Sequence, residues 1–306
     1  MTGSRTMDMR IAELRDLLDR HARPNMSTPI PGIMIARHDV SVHEQTMSGT
    51  VMALVAQGTK RIALGDRVYE YRPGQYLVAS IDLPVSGQFL DASPDHPALG
   101  FGFVLDPMTV AELLLQAGSD GLRRGYGPPP SSMLVSDAPM AMMDAVLRLL
   151  RLLETPRDIA VLAPLIKREI LWRLIVGEQG SVVRQLGLAD SHLSHVARAV
   201  GWIREHYARS FKVEDVAEFA GMSISAFYRN FQAVTAMSPI QFQKQIRLQE
   251  ARLLLATHPN DVMGVGFKVG YESASQFSRE YRRHFGTAPS QDAQNLRGVA
   301  TAPMNI

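Results

Sequence analysis

A chain of 306 residues is longer than one small hydrophobic core usually supports and is the right size for two domains. With 46% hydrophobic and 20% charged residues and no cysteine, it excludes global disorder and rod-like repeats, and equally disulfide frameworks, thiolate nucleophiles and thiol redox switching. The net charge of +2 divides unevenly, with 13 basic against 10 acidic residues from Asp190 onward and 19 against 20 before it, a split that permits nucleic-acid binding by the C-terminal part without requiring it.

The opening MTGSRTMDMRIAEL carries Arg5, Asp8 and Arg10 and no long apolar run, and the most apolar later stretch, 145–153, is interrupted by Arg148 and Arg151. Neither reads as a signal peptide or a membrane span, so the expectation is a cytoplasmic protein without a membrane partner. Ile11, Leu14, Leu17 and Leu18 recur at helical spacing and predict an amphipathic helix over 8–21. The grammar then changes. Short apolar runs at 30–36, 51–56, 61–64, 68–71, 76–80, 88–91 and 99–105 are separated by turn signals such as Gly58, Gly65-Asp66, Pro73-Gly74 and Pro94-Asp95. Short strands punctuated in this way predict a β-sandwich or small barrel. After Pro107 the period returns to that of helices, at 110–115, 139–153 and 159–176, with a loop at 125–130 marked by Gly and Pro. The Gly-containing stretch 177–190 reads as the run into a second domain, giving expected domains of 1–185 and 190–306.

Everything beyond reads as helix, at about 194–208, 213–220, 224–235, 239–257, 262–269, 274–285 and 289–296. Two segments repeat one logic of short helix, glycine turn and second helix. A helix-turn-helix needs a small residue where its helices cross, a glycine at the turn, a cap on the second helix and apolar residues pinning that helix inward. The first segment offers Ala217, Gly221, Ser223, and Phe227 with Phe231; the second offers Gly266, Gly270, Ser273, and Phe277 with Tyr281. With those faces inward, Ser225, Tyr228, Arg229 and Gln232 point away in one unit, and Ala274, Ser275, Gln276 and Arg279 in the other. Arg229 and Arg279 are 50 residues apart, as are Phe231 and Tyr281, which places the two second helices in register.

The run from VEDVAEFAGMSISAFYRNFQ to GYESASQFSREYRRHFGTAPSQ, with R-L-x-x-A-x-x-L-L at 247–255, G-Y-E-S at 270–273 and F-G-x-x-P at 285–289, resembles the DNA-binding domain of the AraC/XylS family of transcription regulators. Residues 55–88 are similar to the cupin-like N-terminal domain of some of those regulators. The resemblance implies an α+β multidomain chain: an N-terminal cupin-like β-barrel or sandwich with flanking helices, and a C-terminal all-α domain with two helix-turn-helix units. It implies double-stranded operator DNA as partner, contact with RNA polymerase, homodimerisation, and a β-rich domain that senses a small-molecule effector or serves dimerisation. Activation and repression stay equally open.

On the same analogy Arg229 and Arg279 are candidates for base-edge contacts, because a guanidinium can bond guanine O6 and N7 together. Ser225, Tyr228, Gln232, Ala274, Ser275 and Gln276 share that face, and Arg282, Arg283, Lys212 and Lys268 are placed for the phosphate backbone or for solvent. Phe227, Phe231, Phe277, Tyr281 and Trp202 are assigned to the core. Two departures from the family pattern stand out: Ala236 replaces the usual glycine after the first recognition helix, predicting a tighter or shifted exit turn, and Gly264 with Gly266 predict a weak first helix in the second unit.

A metal-dependent cupin enzyme is the rival class. His38 and His43 are five apart, no His-x-His pair occurs and His96 lies in a turn, so the spacing supplies no three-histidine site. The second rival is a protein-interaction module with a vestigial helix-turn-helix, against which the polar outward faces weigh. No catalytic residue, metal or cofactor is assigned, and the chain is read as a non-enzyme.

Overall fold

The computed structural model describes residues 2–41, 43–117, 131–188 and 191–300. The predicted loop at 125–130 lies outside them. Two compact units result, one built from residues through Ala197 together with Ala233–Ala236, the other from the rest of the chain beyond Ala197.

The first unit opens with helix α1 (Thr2–His21), followed by eight strands: β1 (Ile33–His38), β2 (Glu44–Met47), β3 (Val51–Gln57), β4 (Lys60–Leu64), β5 (Arg67–Tyr71), β6 (Gln75–Ala79), β7 (Pro84–Phe89) and β8 (Ala98–Val104). Helix α2 (Pro107–Ala117), strand β9 (Met133–Asp137) and helices α3 (Met140–Arg151), α4 (Pro156–Val176) and α5 (Gly180–Leu186) complete it. The strands form a five-stranded sheet in the order β1-β8-β3-β6-β9 and a four-stranded sheet in the order β2-β7-β4-β5, all pairs antiparallel.

Alternation along the strands builds the core. Ile33, Ile35, Met52, Leu54, Tyr76, Val78, Phe101 and Phe103 share one face of the larger sheet and pack with Leu14 and Leu18 of α1, Val146 and Leu150 of α3, and Ile170 and Leu174 of α4. The opposite face turns toward the smaller sheet, where the Phe89 ring of β7 reaches to within 3.8 Å of a Cβ position at Gly100. Ion pairs Arg10–Asp144 and Arg151–Glu13 join α1 to α3 at the surface, a setting where such pairs add little. Among the described residues no helix is long and apolar enough to cross a membrane.

The expectations for this unit hold in outline; α1 begins at Thr2 and not at 8, and four further differences follow. Strand β2, EQTM, has no apolar run and was not anticipated; it pairs only with β7, at the sheet edge. Strand β9 is short and also unanticipated. Strand β7 begins at Pro84, not at 88. Where a linker was expected over 177–190, Gly180–Leu186 form α5, a helix of poor intrinsic propensity that exists by burying Val182 and Val183.

In the C-terminal part the helices are α6 (His192–Glu205), α7 (Val213–Phe219), α8 (Ile224–Thr235), α9 (Pro239–Thr257), α10 (Val262–Lys268), α11 (Ala274–Phe285) and α12 (Pro289–Ala300). Each predicted helix is present, with ends moved by up to four residues. The core of the second half joins Leu248, Ala251 and Leu255 of α9 to Val265, Phe277, Tyr281 and Ala293. Trp202, also assigned to the core, is instead half-buried, stacked on His206 at 4.4 Å and edge-on to Phe211 at 5.4 Å.

Candidate nucleic-acid interface

Helix α7 buries Val213, Val216 and Ala217, and its end is closed by Gly221 N–H donating to Glu218 O at 2.9 Å and Met222 N–H to Ala217 O at 2.9 Å. Gly221 sits at φ +71°, a conformation that L side chains rarely adopt. The Ser223 hydroxyl then accepts from Ala226 N–H at 3.4 Å, and α8 begins. Phe227 and Phe231, one turn apart with ring centroids 5.3 Å from each other, are fully buried, and Phe231 meets Phe242 of α9 edge-on at 5.6 Å. That fixes the rotation of α8.

The second unit is built the same way. Gly270 N–H donates to Phe267 O at 3.0 Å and Tyr271 N–H to Gly266 O at 3.0 Å, each displaced by 49 residues from its counterpart, with Gly270 at φ +92°. Ser273 caps α11 by accepting from Gln276 N–H at 3.4 Å, displaced by 50. One extra residue in the turn therefore separates the two units, and α8 and α11 match residue for residue over their 12 positions. Gly266 faces Phe277: a Cβ there would lie 3.0 Å from the ring's Cδ1. Helix α10 is seven residues long, the same as α7, despite its two glycines; its first turn is held by the Asp261 carboxylate accepting from Gly264 N–H at 2.9 Å.

The exit turns answer the question raised by Ala236. It adopts φ +58° at the position matching Gly286, φ +77°, so the turn is not shifted and alanine itself occupies the left-handed cap.

The spacer α9 begins with a capping box in which Ser238 Oγ accepts from Gln241 N–H at 3.2 Å and Gln241 Oε1 from Ser238 N–H at 2.9 Å. Side chains lock it to the second unit. Arg252 Nε lies 2.9 Å from Asp292 Oδ2, which also accepts from Tyr281 O–H at 2.7 Å, and Lys244 Nζ lies 3.1 Å from Glu280 Oε1. Glu280 is buried and Tyr271 O–H donates to it at 3.1 Å; burial pushes its pKa up, but the hydrogen bonds from Lys244 and Tyr271 outweigh that and hold it below the ordinary value.

With the inner faces fixed, Ser225, Tyr228, Arg229 and Gln232 of α8 are exposed, as are Ser275, Gln276, Arg279, Arg282 and Arg283 of α11, while Ala274 is half-buried. Lys212 and Lys268 are exposed as well. Phe227, Phe231, Phe277 and Tyr281 are buried as expected. Among the described residues no carboxylate lies within ion-pair distance of Arg229, Arg279, Arg282 or Arg283. One exposed apolar side chain on this surface was missed in the sequence, Ile224 at the first position of α8. Helical period places it with Phe227 and Phe231, at i−3 and i−7, so the sequence carried no signal of its exposure.

Residues 29–182 match the family model of the AraC-type transcriptional regulator N-terminus, and residues 216–295 match a helix-turn-helix domain. The chain belongs to the AraC-type family of transcriptional regulators. It is similar to the HTH-type transcriptional activator RhaS of Escherichia fergusonii, 24% identical over 170 residues, covering 55% of this chain and 59% of that one. Similarity to the HTH-type transcriptional regulator ExsA of Pseudomonas aeruginosa is 30% over 138 residues, covering 44% and 48%. The matches thus span about half the length of these relatives. Crystal structures of ToxT from Vibrio cholerae share the fold at 10% to 11% identity, including one with unsaturated fatty acid bound, TM-score 0.54 over 89% of this chain and 99% of ToxT. Another, with (E)-4-(8-methylnaphthalen-1-yl)but-3-enoic acid, gives TM-score 0.55 over 87% and 99%.

Proposed function

We propose that this protein is a sequence-specific DNA-binding transcription regulator in which α8 and α11 each read one major-groove segment. The observation that carries the proposal is the pair Arg229 and Arg279, exposed at matching positions of two helices whose inner faces are pinned by matching aromatic pairs. Two such helices joined by α9, whose 19 residues make a rigid rod about 28 Å long, suit two groove segments about one DNA turn apart. Arg282 and Arg283 add cationic contacts to phosphates, as do Lys212 and Lys268.

The β-rich unit is proposed to sense a small molecule or to hold a second copy of the chain, and to act on the readers only through differential affinity for their aligned state. Its model match to AraC-type N-termini supports this, as do the ToxT structures with carboxylic acids bound. Homodimerisation, contact with RNA polymerase and a cytoplasmic location belong to the same proposal, as does the domain division at 1–185 and 190–306. No catalytic role is assigned. Selection from a randomised duplex library with the full chain tests the reading: enrichment of a two-part site with centres about ten base pairs apart supports it, and no enrichment over input overturns it.

A further inference from the structure

Because α8 and α11 match position by position, their outward faces can be compared directly. Ile224, Ser225, Tyr228, Arg229 and Gln232 on α8 correspond to Ala274, Ser275, Ser278, Arg279 and Arg282 on α11. The difference is chemical. The α8 face presents one guanidinium and two large apolar side chains, Ile224 at 46% and Tyr228 at 44% exposure. The α11 face presents three guanidinium groups, counting Arg283, and no large apolar side chain.

Ile224 and Tyr228 are four residues apart and so lie on one edge of the first two turns of α8, the end of a recognition helix that meets base edges. Both lie at the margin of the stripe buried through Phe227, Phe231 and Val234, with nearly half of each side chain exposed. Both lie beside Ser225 and Arg229, so the apolar edge continues the polar surface already proposed to enter the groove. In a major groove the apolar feature within reach of such an edge is the 5-methyl group of thymine.

We infer that Ile224 and Tyr228 form an apolar reading edge that selects thymine by its 5-methyl group in the half-site held by α8, whereas α11, with no such edge, holds its half-site through guanidinium and other polar contacts. The inference rests on the DNA-reading proposal above. It makes the two half-sites chemically unequal: one is sensitive to loss of a methyl group, the other to salt.

The test uses the full chain and the duplex enriched from the randomised library. The α8 half-site is the half whose sequence preference disappears in Arg229→Ala. Thymine is replaced by deoxyuracil in one half at a time, removing only the methyl group, and affinity is measured by fluorescence anisotropy. For the wild type, uracil in the α8 half is expected to weaken binding about three- to fivefold per methyl group covered, with no change for uracil in the α11 half. Ile224→Ser and Tyr228→Ser are expected to abolish that sensitivity while remaining folded, since nearly half of each side chain is exposed and neither belongs to the fully buried stripe. A wild type indifferent to uracil in the α8 half, or an α8 half-site without thymine, overturns the inference and leaves the two-reader proposal standing. A library with no enriched sequence overturns both. The wild-type comparison needs no variant, so a misfolded variant does not remove the test.

Discussion

Arg247 Nη1 donates a 2.8 Å hydrogen bond to the carbonyl oxygen of Gly270, tying the middle of α9 to the turn that launches α11. The same guanidinium donates from Nε to Tyr207 O at 2.7 Å and from Nη2 to Arg209 O at 3.3 Å, and Gln243 Nε2 donates to both those carbonyls. One planar fork thus satisfies backbone groups of two loops at once. Arg247→Ala is expected to lower the stability of the second helix-turn-helix by roughly 3 kcal/mol, and Arg247→Lys to recover less than half of that, because an ammonium cannot span three acceptors in a plane. Hydrogen-exchange protection of α11 amides would report both values, and equal protection in all three proteins would show that the fork is not needed.

Ala236 invites the opposite change. Its φ of +58° costs an alanine about 1 kcal/mol that a glycine at Gly286 does not incur. Part of the gain from glycine is returned as unfolded-chain entropy. Ala236→Gly is therefore expected to stabilise the C-terminal end of α8 by roughly a few tenths of a kcal/mol, read as slower exchange of its last-turn amides.

Gly266 should resist substitution. Phe277 is fully buried and boxed by Tyr271 at 5.2 Å and Tyr281 at 5.5 Å, so its ring cannot move away from a new side chain. Gly266→Val is expected to cost about 2–3 kcal/mol and to weaken binding through the second half-site, although valine is the better helix former. An unchanged melting temperature would contradict the close packing described.

The pH dependence of this region follows from two groups. Burial, reinforced by Arg252 and Arg283, lowers the pKa of His284 to about 4 from 6.5. The unfolded chain therefore binds the proton first, and stability falls as pH drops from about 6.5 toward 4, by at most about 3 kcal/mol. Glu280 acts lower: its depressed pKa makes a contribution that is present above its ordinary value of 4.5 and is lost as pH falls through the folded one. Exchange protection of α11 should weaken between pH 6.5 and 4 in the wild type and much less in His284→Gln.

The double helix-turn-helix was legible in the sequence because its determinants are local. Gly221 and Gly270 mark backbone that only glycine adopts easily, Ser223 and Ser273 cap, and the aromatic pairs set the rotation of each helix, so exposure of Arg229 and Arg279 followed. The extra turn residue could be found by comparing the 49-residue and 50-residue spacings. Strand β2 could not, since EQTM takes its conformation from pairing with β7, not from propensity. The same holds for α5, whose Gly-led sequence becomes helical through burial of Val182 and Val183. Ile224 escaped because a pattern search assigns apolar residues to a core by default, and only the fold shows that this one faces outward.

Both recognition helices are proposed to read bases. Fluorescence anisotropy of the full chain on its selected duplex and on a scrambled one, at several salt concentrations, tests this with Arg229→Ala and Arg279→Ala. Wild type is expected to prefer the selected duplex, and each variant to lose about 1–3 kcal/mol of that preference while keeping most of its binding to the scrambled duplex. If all three proteins bind both duplexes equally, with the same salt slope, the helices contact only the phosphate backbone and the claim is wrong.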